Sequence, residues 1–224
     1  MRRIIGFIGL VLLFTNCVTL FHSARVLEPG ETETGGSFVL SGTVAQESGN
    51  IMSGQIEQMV ITTPPIALYA RRGWGNGINT GAYLGFLFAD FFATKQIFKE
   101  SGSIPSCALT GDVGLTSVLF FNNLSIGASL DFFKSNYSGK TKANPSLKIR
   151  GAYNAWQSYN MLEGNSSTGR YGSLAIIIGN ETMLKQSSFI ATSLGLEVSY
   201  REIGWASGPF SVELNLSLSF FRRK

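Results

Sequence analysis

Side chains that could act as nucleophiles or general bases are few in this chain, and they do not combine into a catalytic arrangement. The only histidine is His22, near the amino terminus, and the two cysteines are Cys17 and Cys107. Cys107 lies in phase with Leu109 on an apolar face, where a buried, inert cysteine is expected. Hydrolysis by serine or cysteine therefore lacks its base, and no His/Cys cluster has metal-ligand spacing. We predict a protein that is not an enzyme and that needs no cofactor or metal.

Charged residues on otherwise small, polar strand faces are the remaining candidates for a functional site. Their signs are mixed, so we expect them to pair with one another and fill a narrow interior; a selective pore or a ligand site is the alternative. Glu197 and Glu213, on adjacent predicted strands, would also suit acid/base chemistry, although only their proximity supports that role. The candidates are Arg71, Asp112, Asp131, Lys148, Arg150, Glu197, Arg201 and Glu213.

The segments that position these charges alternate between apolar and polar residues. From Phe210 to Phe220 every even position is apolar, and every odd position from Ser211 to Ser219 is polar. A period of two is typical of a strand with one apolar and one polar face. Polar loops are expected at 135–146 and 160–170. Strands are predicted at 36–46, 65–73, 106–118, 123–134, 147–158, 171–180, 188–202 and 209–224, with two more within 78–98.

Composition favours lipid over a protein core as the partner of the apolar faces. Only 14% of the residues are charged, against roughly 25% in soluble domains. Mean hydropathy is +0.17, yet no apolar run reaches the roughly 20 residues that a membrane helix needs. The polar faces carry mainly Ser, Gly, Thr, Asn and Ala, which suit a crowded lumen better than bulk water.

Strand length points the same way. Most predicted strands have about 9–14 residues, and membrane-spanning strands need about 9–11, whereas strands of soluble proteins average about 5–6. Aromatic residues such as Trp74, Phe133, Tyr159 and Phe221 gather near predicted strand ends, as in interfacial girdles. We predict an all-β, antiparallel up-and-down transmembrane β-barrel of about ten strands, with eight or twelve as alternatives. A soluble lipocalin-like barrel that binds an apolar ligand is the second hypothesis, and an outer-membrane enzyme is the third.

The amino terminus predicts export. Arg2 and Arg3 precede an apolar stretch, which is typical of a signal peptide over 1–16. Cys17 follows at once, and the segment resembles a bacterial lipoprotein signal of the relaxed, spirochaete-like kind, which implies lipid attachment at Cys17. Ordinary cleavage beside an incidental cysteine is the alternative. The net charge of +4 is partly terminal, and without a basic stripe no nucleic-acid partner is expected.

Two strings carry a family resemblance. "ARVLEPGETETGGSF" and "PIALYARRGWGNGINTGAYLG" resemble the segment before strand one and the following hairpin in bacterial outer-membrane β-barrel proteins of poorly defined function. The resemblance implies a barrel over 36–222, a periplasmic tether over 17–35, a location in the bacterial outer membrane and outer-membrane lipid as partner. It implies no reaction. Our first hypothesis for the barrel is a structural, adhesive or small-solute-conducting role. Phe220 and Phe221 also resemble the terminal signal recognised by the barrel-assembly machinery, although three basic residues follow them.

Overall fold

A computed structural model describes the protein over residues 25–45, 58–62, 66–85, 88–118, 121–135, 143–160, 164–185, 188–203 and 206–224. The predicted signal peptide, Cys17 and His22 lie outside these ranges. Within them, no helix is long and apolar enough to cross a membrane.

β-Strands account for most of the described residues, and each pairs antiparallel with its neighbours in the sheet. The last strand also pairs with the first over Glu33–Arg223 to Ala45–Ser211, so the sheet closes on itself. In chain order the strands are β1 (Thr32–Ala45), β2 (Gln58–Thr62), β3 (Ile66–Gly75), β4 (Ile78–Gly85), β5 (Phe88–Phe98), β6 (Ser106–Val118), β7 (Phe121–Phe133), β8 (Ala143–Asn160), β9 (Asn165–Lys185), β10 (Ser188–Ile203) and β11 (Ala206–Arg223).

Two of these strands share one place in the barrel. The first half of β1, Thr32–Phe38, pairs with β3, and its second half, Ser41–Ala45, pairs with β2. Pro64 and Pro65 fall between β2 and β3 in the sequence, and proline cannot donate a ladder hydrogen bond. The barrel therefore has ten strand positions, and the predicted closed antiparallel barrel of about ten strands is confirmed.

The register fixes the shape of this barrel. A path perpendicular to the strands that starts at Glu33 passes through Arg71, Asp112 and seven further partners and returns to β1 at Ala45, twelve residues along. With usual strand dimensions, this stagger tilts the strands by about 40° and gives a backbone radius of about 10 Å. Each residue then rises about 2.5 Å along the barrel axis.

The outward face of the strands forms an apolar belt. On β7 the outward residues from Leu124 to Phe132 are apolar and span about 20 Å along the barrel axis. The flanking polar residues Asn122 and Lys134 are about 30 Å apart along the same axis. These values bracket the roughly 25 Å apolar band of membrane barrels. Large apolar side chains on this face are more than one-third exposed, among them Leu68, Phe91, Val113, Ile126, Ile149, Ile176, Leu196 and Leu216.

The structure corrects three expectations from the sequence. The loop predicted at 160–170 is strand from Asn165 onward, because β9 begins there and pairs with β8 as far as Asn160. Residues 165–170 have no apolar–polar alternation, yet the backbone ladder between β8 and β9 continues through them. Phe133 and Phe221, predicted in the aromatic girdle, are buried inside the barrel, because they occupy the inward phase of β7 and β11. β1 begins at Thr32, within the segment assigned to the tether.

Candidate functional site in the barrel interior

The barrel interior holds two clusters of charged side chains. The first lies at the end of the barrel where the chain termini meet, and we call it the seam cluster: Glu33 of β1, Tyr69 and Arg71 of β3, Glu181 of β9 and Arg223 of β11. All five side chains are buried, and Glu33 is fully inaccessible to solvent.

Glu33 is the centre of the seam cluster. Its carboxylate accepts hydrogen bonds from Nε and Nη2 of Arg71 at 2.8 and 3.1 Å and from Nε of Arg223 at 2.5 Å. The Tyr69 hydroxyl also donates to it. Nη2 of Arg223 in turn donates to Oε2 of Glu181 at 2.7 Å. Ionised hydrogen bonds of this kind are the strong ones, so the cluster ties four strands together where the barrel closes.

Aromatic rings surround the Arg223 guanidinium. The guanidinium carbon lies 4.0 Å from the centre of the Phe189 ring and 5.1 Å from that of Phe221. These two rings stack on each other at 5.3 Å, and Tyr69 stacks on Tyr83 at 5.2 Å. The rings exclude water and provide cation–π contacts, which strengthens the ion pairs that they enclose.

Residues 25–31 lie across the same end of the barrel. Nη1 of Arg71 donates to the carbonyl of Arg25 at 2.9 Å, and the amide of Leu27 donates to Oδ1 of Asn79 at 3.2 Å. The Leu27 side chain is only 3% exposed. Gly73 permits this approach, because a Cβ there would stand 2.2 Å from the carbonyl oxygen of Glu28. We call residues 25–31 the end segment; it covers the interior from the side of the termini.

The second cluster, which we call the wall cluster, joins β6, β7 and β8. Nη2 and Nε of Arg150 donate to the two carboxylate oxygens of Asp112 at 2.5 and 3.2 Å. Nζ of Lys148 lies 3.5 Å from Oδ1 of Asp131, and the hydroxyl of Thr110 donates to Oδ2 of Asp131 at 2.5 Å. Every carboxylate of this cluster therefore contacts a cation.

A glycine makes room for the bidentate pair. A Cβ at Gly127 would come within 2.6 Å of both Nη2 of Arg150 and Oδ2 of Asp112. Because Gly127 on β7 has no side chain, the Asp112–Arg150 ion pair can pass over it from β6 to β8. The chemistry that the two clusters support is mutual neutralisation: no group of three or more His, Cys, Asp or Glu in the described ranges could hold a metal ion.

The structure distributes the eight predicted candidates over several places. Arg71 belongs to the seam cluster, and four others form the wall cluster. Glu197 is buried higher up on β10, where it is the register partner of Glu213. The side chains of Arg201 and Glu213 lie outside what the structure describes. Cys107 is buried, as expected for an inert thiol.

Three charged members of the seam cluster were missed at the level of sequence. Glu33 falls in the glycine-rich stretch assigned to the tether, and Glu181 lies one residue beyond the predicted end of its strand. Arg223 was counted among the terminal basic residues. The position of Arg223 along its strand could have revealed it. Arg223 continues the odd-numbered series of inward residues that includes Ser217 and Ser219.

The similarity of this chain to known proteins lies in its fold and not in its sequence. The sequence matches no protein-family model, and no curated protein sequence matches it. Among solved structures, the chain is similar to Neisserial surface protein A (14% identity, 85% of this chain and 97% of the other, TM-score 0.38). It is also similar to Ail, the attachment invasion locus protein of Yersinia pestis (12% identity, 86% and 99%, TM-score 0.34).

A second structure of Ail, in complex with the heparin analogue sucrose octasulfate, gives 14% identity, 87% and 99% coverage and a TM-score of 0.36. At such low identities and TM-scores these similarities carry no argument about function.

Proposed function

We propose that the protein is an outer-membrane β-barrel with a filled, non-conducting lower interior, and that its role is structural or adhesive. The observation that supports this proposal is that the sheet is a closed barrel and that its outward face is apolar. A soluble barrel would expose charged residues there, because its outer surface meets bulk water. Here the outward positions at mid-height are Val113, Ile126, Ile176, Leu196 and Leu216, each between 43% and 52% exposed.

The interior supports a plugged barrel over an open pore. The seam cluster, the aromatic rings and the end segment occupy the interior at the end of the termini, and the wall cluster extends from β6 to β8 above them. Buried ions that neutralise each other at close range are costly to separate, so they fill the interior stably. Small-solute conduction, the other role expected from the sequence, is less well supported for this reason.

The ends of the barrel suggest its orientation. A tether that begins at a lipidated Cys17 would lie in the periplasm, so we place both termini there. β8 and β9 then extend above the belt on the outer side, where Gln157, Thr168 and Arg170 are exposed. Such a projecting hairpin would suit an adhesive or scaffolding role.

Three measurements test the proposal. The unlipidated Cys17→Ala protein should stay with membranes through high-pH carbonate extraction and should show heat-modifiable gel mobility. In planar bilayers it should give no single-channel current above background. Release by carbonate would favour the soluble, ligand-binding barrel instead, and discrete channels would replace the plugged scaffold with a pore.

A further inference from the structure

A row of basic side chains follows the edge of the apolar belt at the end of the barrel where the chain termini meet. Arg222 of β11, Arg72 of β3 and Lys95 of β5 are exposed on the outward face, and Lys134, which follows β7, is half-exposed. Their strands alternate with β1, β4 and β6 around the barrel. We call these four residues the basic arc.

The register places the basic arc at one height. With the stagger described above, the four α-carbons lie within about 4 Å of one another along the barrel axis. Neighbours in the arc are about 13 Å apart around the wall. Exposed apolar residues, among them Phe91, Leu130 and Phe220, lie directly above it. The arc therefore follows more than half of the circumference, along the border between the belt and water.

Acidic residues do not balance the charge of this surface. Glu100, in the turn between β5 and β6, lies 4.0 Å from Nζ of Lys134, whereas the other three cations of the arc have no ion pair in the described part of the chain. Among strand residues whose side chains are described, the acids all point into the barrel: Glu33, Asp90, Asp112, Asp131, Glu181 and Glu197.

The opposite edge of the belt differs from this one. Arg170 is the single cation on the outward face there, as far as the described side chains show. The excess of positive charge on the lipid-facing surface is therefore confined to the end of the termini.

Two contacts hold cations of the arc at the border. The indole of Trp74 donates to Oγ1 of Thr80 at 2.7 Å, and the guanidinium carbon of Arg72 lies 4.9 Å from the centre of that indole ring. Tryptophan is typical of the membrane–water interface. Nζ of Lys95 donates to the carbonyl of Asn76, in the turn between β3 and β4, at 2.6 Å. The ammonium is thus directed away from the belt while its stem follows the wall.

From these observations we infer that the basic arc binds the phosphate groups of anionic phospholipids. The inference rests on the proposed function, which makes the lipids those of the periplasmic leaflet. A membrane lipid is the partner because the arc lies on the outward face, directly below side chains that meet acyl chains. Guanidinium groups match phosphate oxygens in geometry, and basic residues at a membrane surface attract anionic headgroups.

Trp74 can report which lipid lies beside Arg72. The chain has three tryptophans, so the Trp156→Phe/Trp205→Phe protein keeps Trp74 alone. It is inserted into mixed vesicles of phosphatidylcholine and phosphatidylglycerol, in which the acyl chains of one lipid or the other are brominated. We expect brominated phosphatidylglycerol to quench Trp74 at least about twice as strongly per labelled lipid. Salt at about 1 M should remove most of this preference, because it screens exposed charges.

Three variants in the same background locate the surface. Arg72→Gln/Lys95→Gln/Arg222→Gln should quench equally with both lipids. Its matched control, Arg72→Lys/Lys95→Arg/Arg222→Lys, keeps the charges and should keep the preference. Arg170→Gln removes a cation from the opposite edge and should behave as the parent does. A preference that survives in the glutamine variant would overturn the assignment to the arc.

Failure of this inference is distinguishable from failure of the proposed function. Equal quenching of the parent by both lipids would overturn lipid selectivity and leave the membrane barrel in place. Absence of quenching by either lipid would overturn the membrane placement, and the inference with it. Because the substituted side chains are exposed, we expect the variants to fold, which heat-modifiable mobility checks. The comparison of lipids and of salt in the parent decides the inference even where a variant does not fold.

Discussion

Nε of Arg223 donates to Oε2 of Glu33 at 2.5 Å, although the two residues lie 190 positions apart in the chain. They are also register partners, because Glu33 of β1 lies opposite Arg223 where β11 pairs with β1. The ion pair therefore lies where the barrel closes, and it forms only when β11 has paired with β1.

We expect Arg223→Leu to lower the free energy of unfolding by about 3–5 kcal/mol, because it leaves the buried carboxylates of Glu33 and Glu181 short of a cation. Urea unfolding in detergent micelles, followed by tryptophan fluorescence, measures the change. Arg222→Leu is the matched control: Arg222 is exposed at the rim and should change stability by no more than about 0.5 kcal/mol. Equal effects of the two substitutions would contradict a special role for the seam cluster.

Gly127 should be intolerant of even one added carbon. Gly127→Ala places a Cβ against the Asp112–Arg150 pair, and we expect a loss of about 1–3 kcal/mol from overpacking. Gly151→Ala is the control, since a Cβ there meets nothing within 4 Å. The same unfolding measurement compares them. If Gly151→Ala proves as costly as Gly127→Ala, a general effect of adding a Cβ to these strands, and not contact with the ion pair, explains the loss.

The apolar belt makes a depth-dependent prediction. Ile176 and Thr168 both lie on the exposed outward face of β9, the first in the middle of the belt and the second above it. Ile176→Arg should cost about 2–4 kcal/mol in lipid, whereas Thr168→Arg should cost about 0–1 kcal/mol. Unfolding from lipid vesicles tests this. A soluble barrel would tolerate arginine equally at both exposed positions, so similar small costs would argue against lipid contact.

The end segment should be released by a change at Gly73. Gly73→Ala puts a Cβ 2.2 Å from the Glu28 carbonyl oxygen, so residues 25–31 can no longer lie in place. We expect trypsin to cleave after Arg25 faster in this variant than in the parent, as followed by mass spectrometry. Gly36→Ala, whose Cβ would meet its nearest atom at 3.8 Å, should be cleaved like the parent. Unchanged cleavage in Gly73→Ala would show that the segment is held by other contacts.

The phase of most strands could be predicted from the sequence. Leu214 and Leu216 face outward and Ser217 and Ser219 face inward, as their alternation predicts, because the side-chain period of a strand is two and each residue must face either lipid or the interior. The same reasoning placed Arg71, Asp112, Asp131, Lys148 and Arg150 in the interior. It did not extend to Glu33, because the glycines beside that residue carry no alternation.

Parity within a strand decides which side chains point into the barrel, and the sequence shows it wherever apolar and polar residues alternate. Tertiary structure alone decided which of them meet. Glu33 contacts Arg223, and Asp112 contacts Arg150, because the ten strand positions are paired with a total stagger of twelve residues. This stagger is a property of the closed sheet as a whole. The alternation within a strand does not reveal which register it adopts with its partner. A shift of the register by two residues leaves the same side chains facing inward.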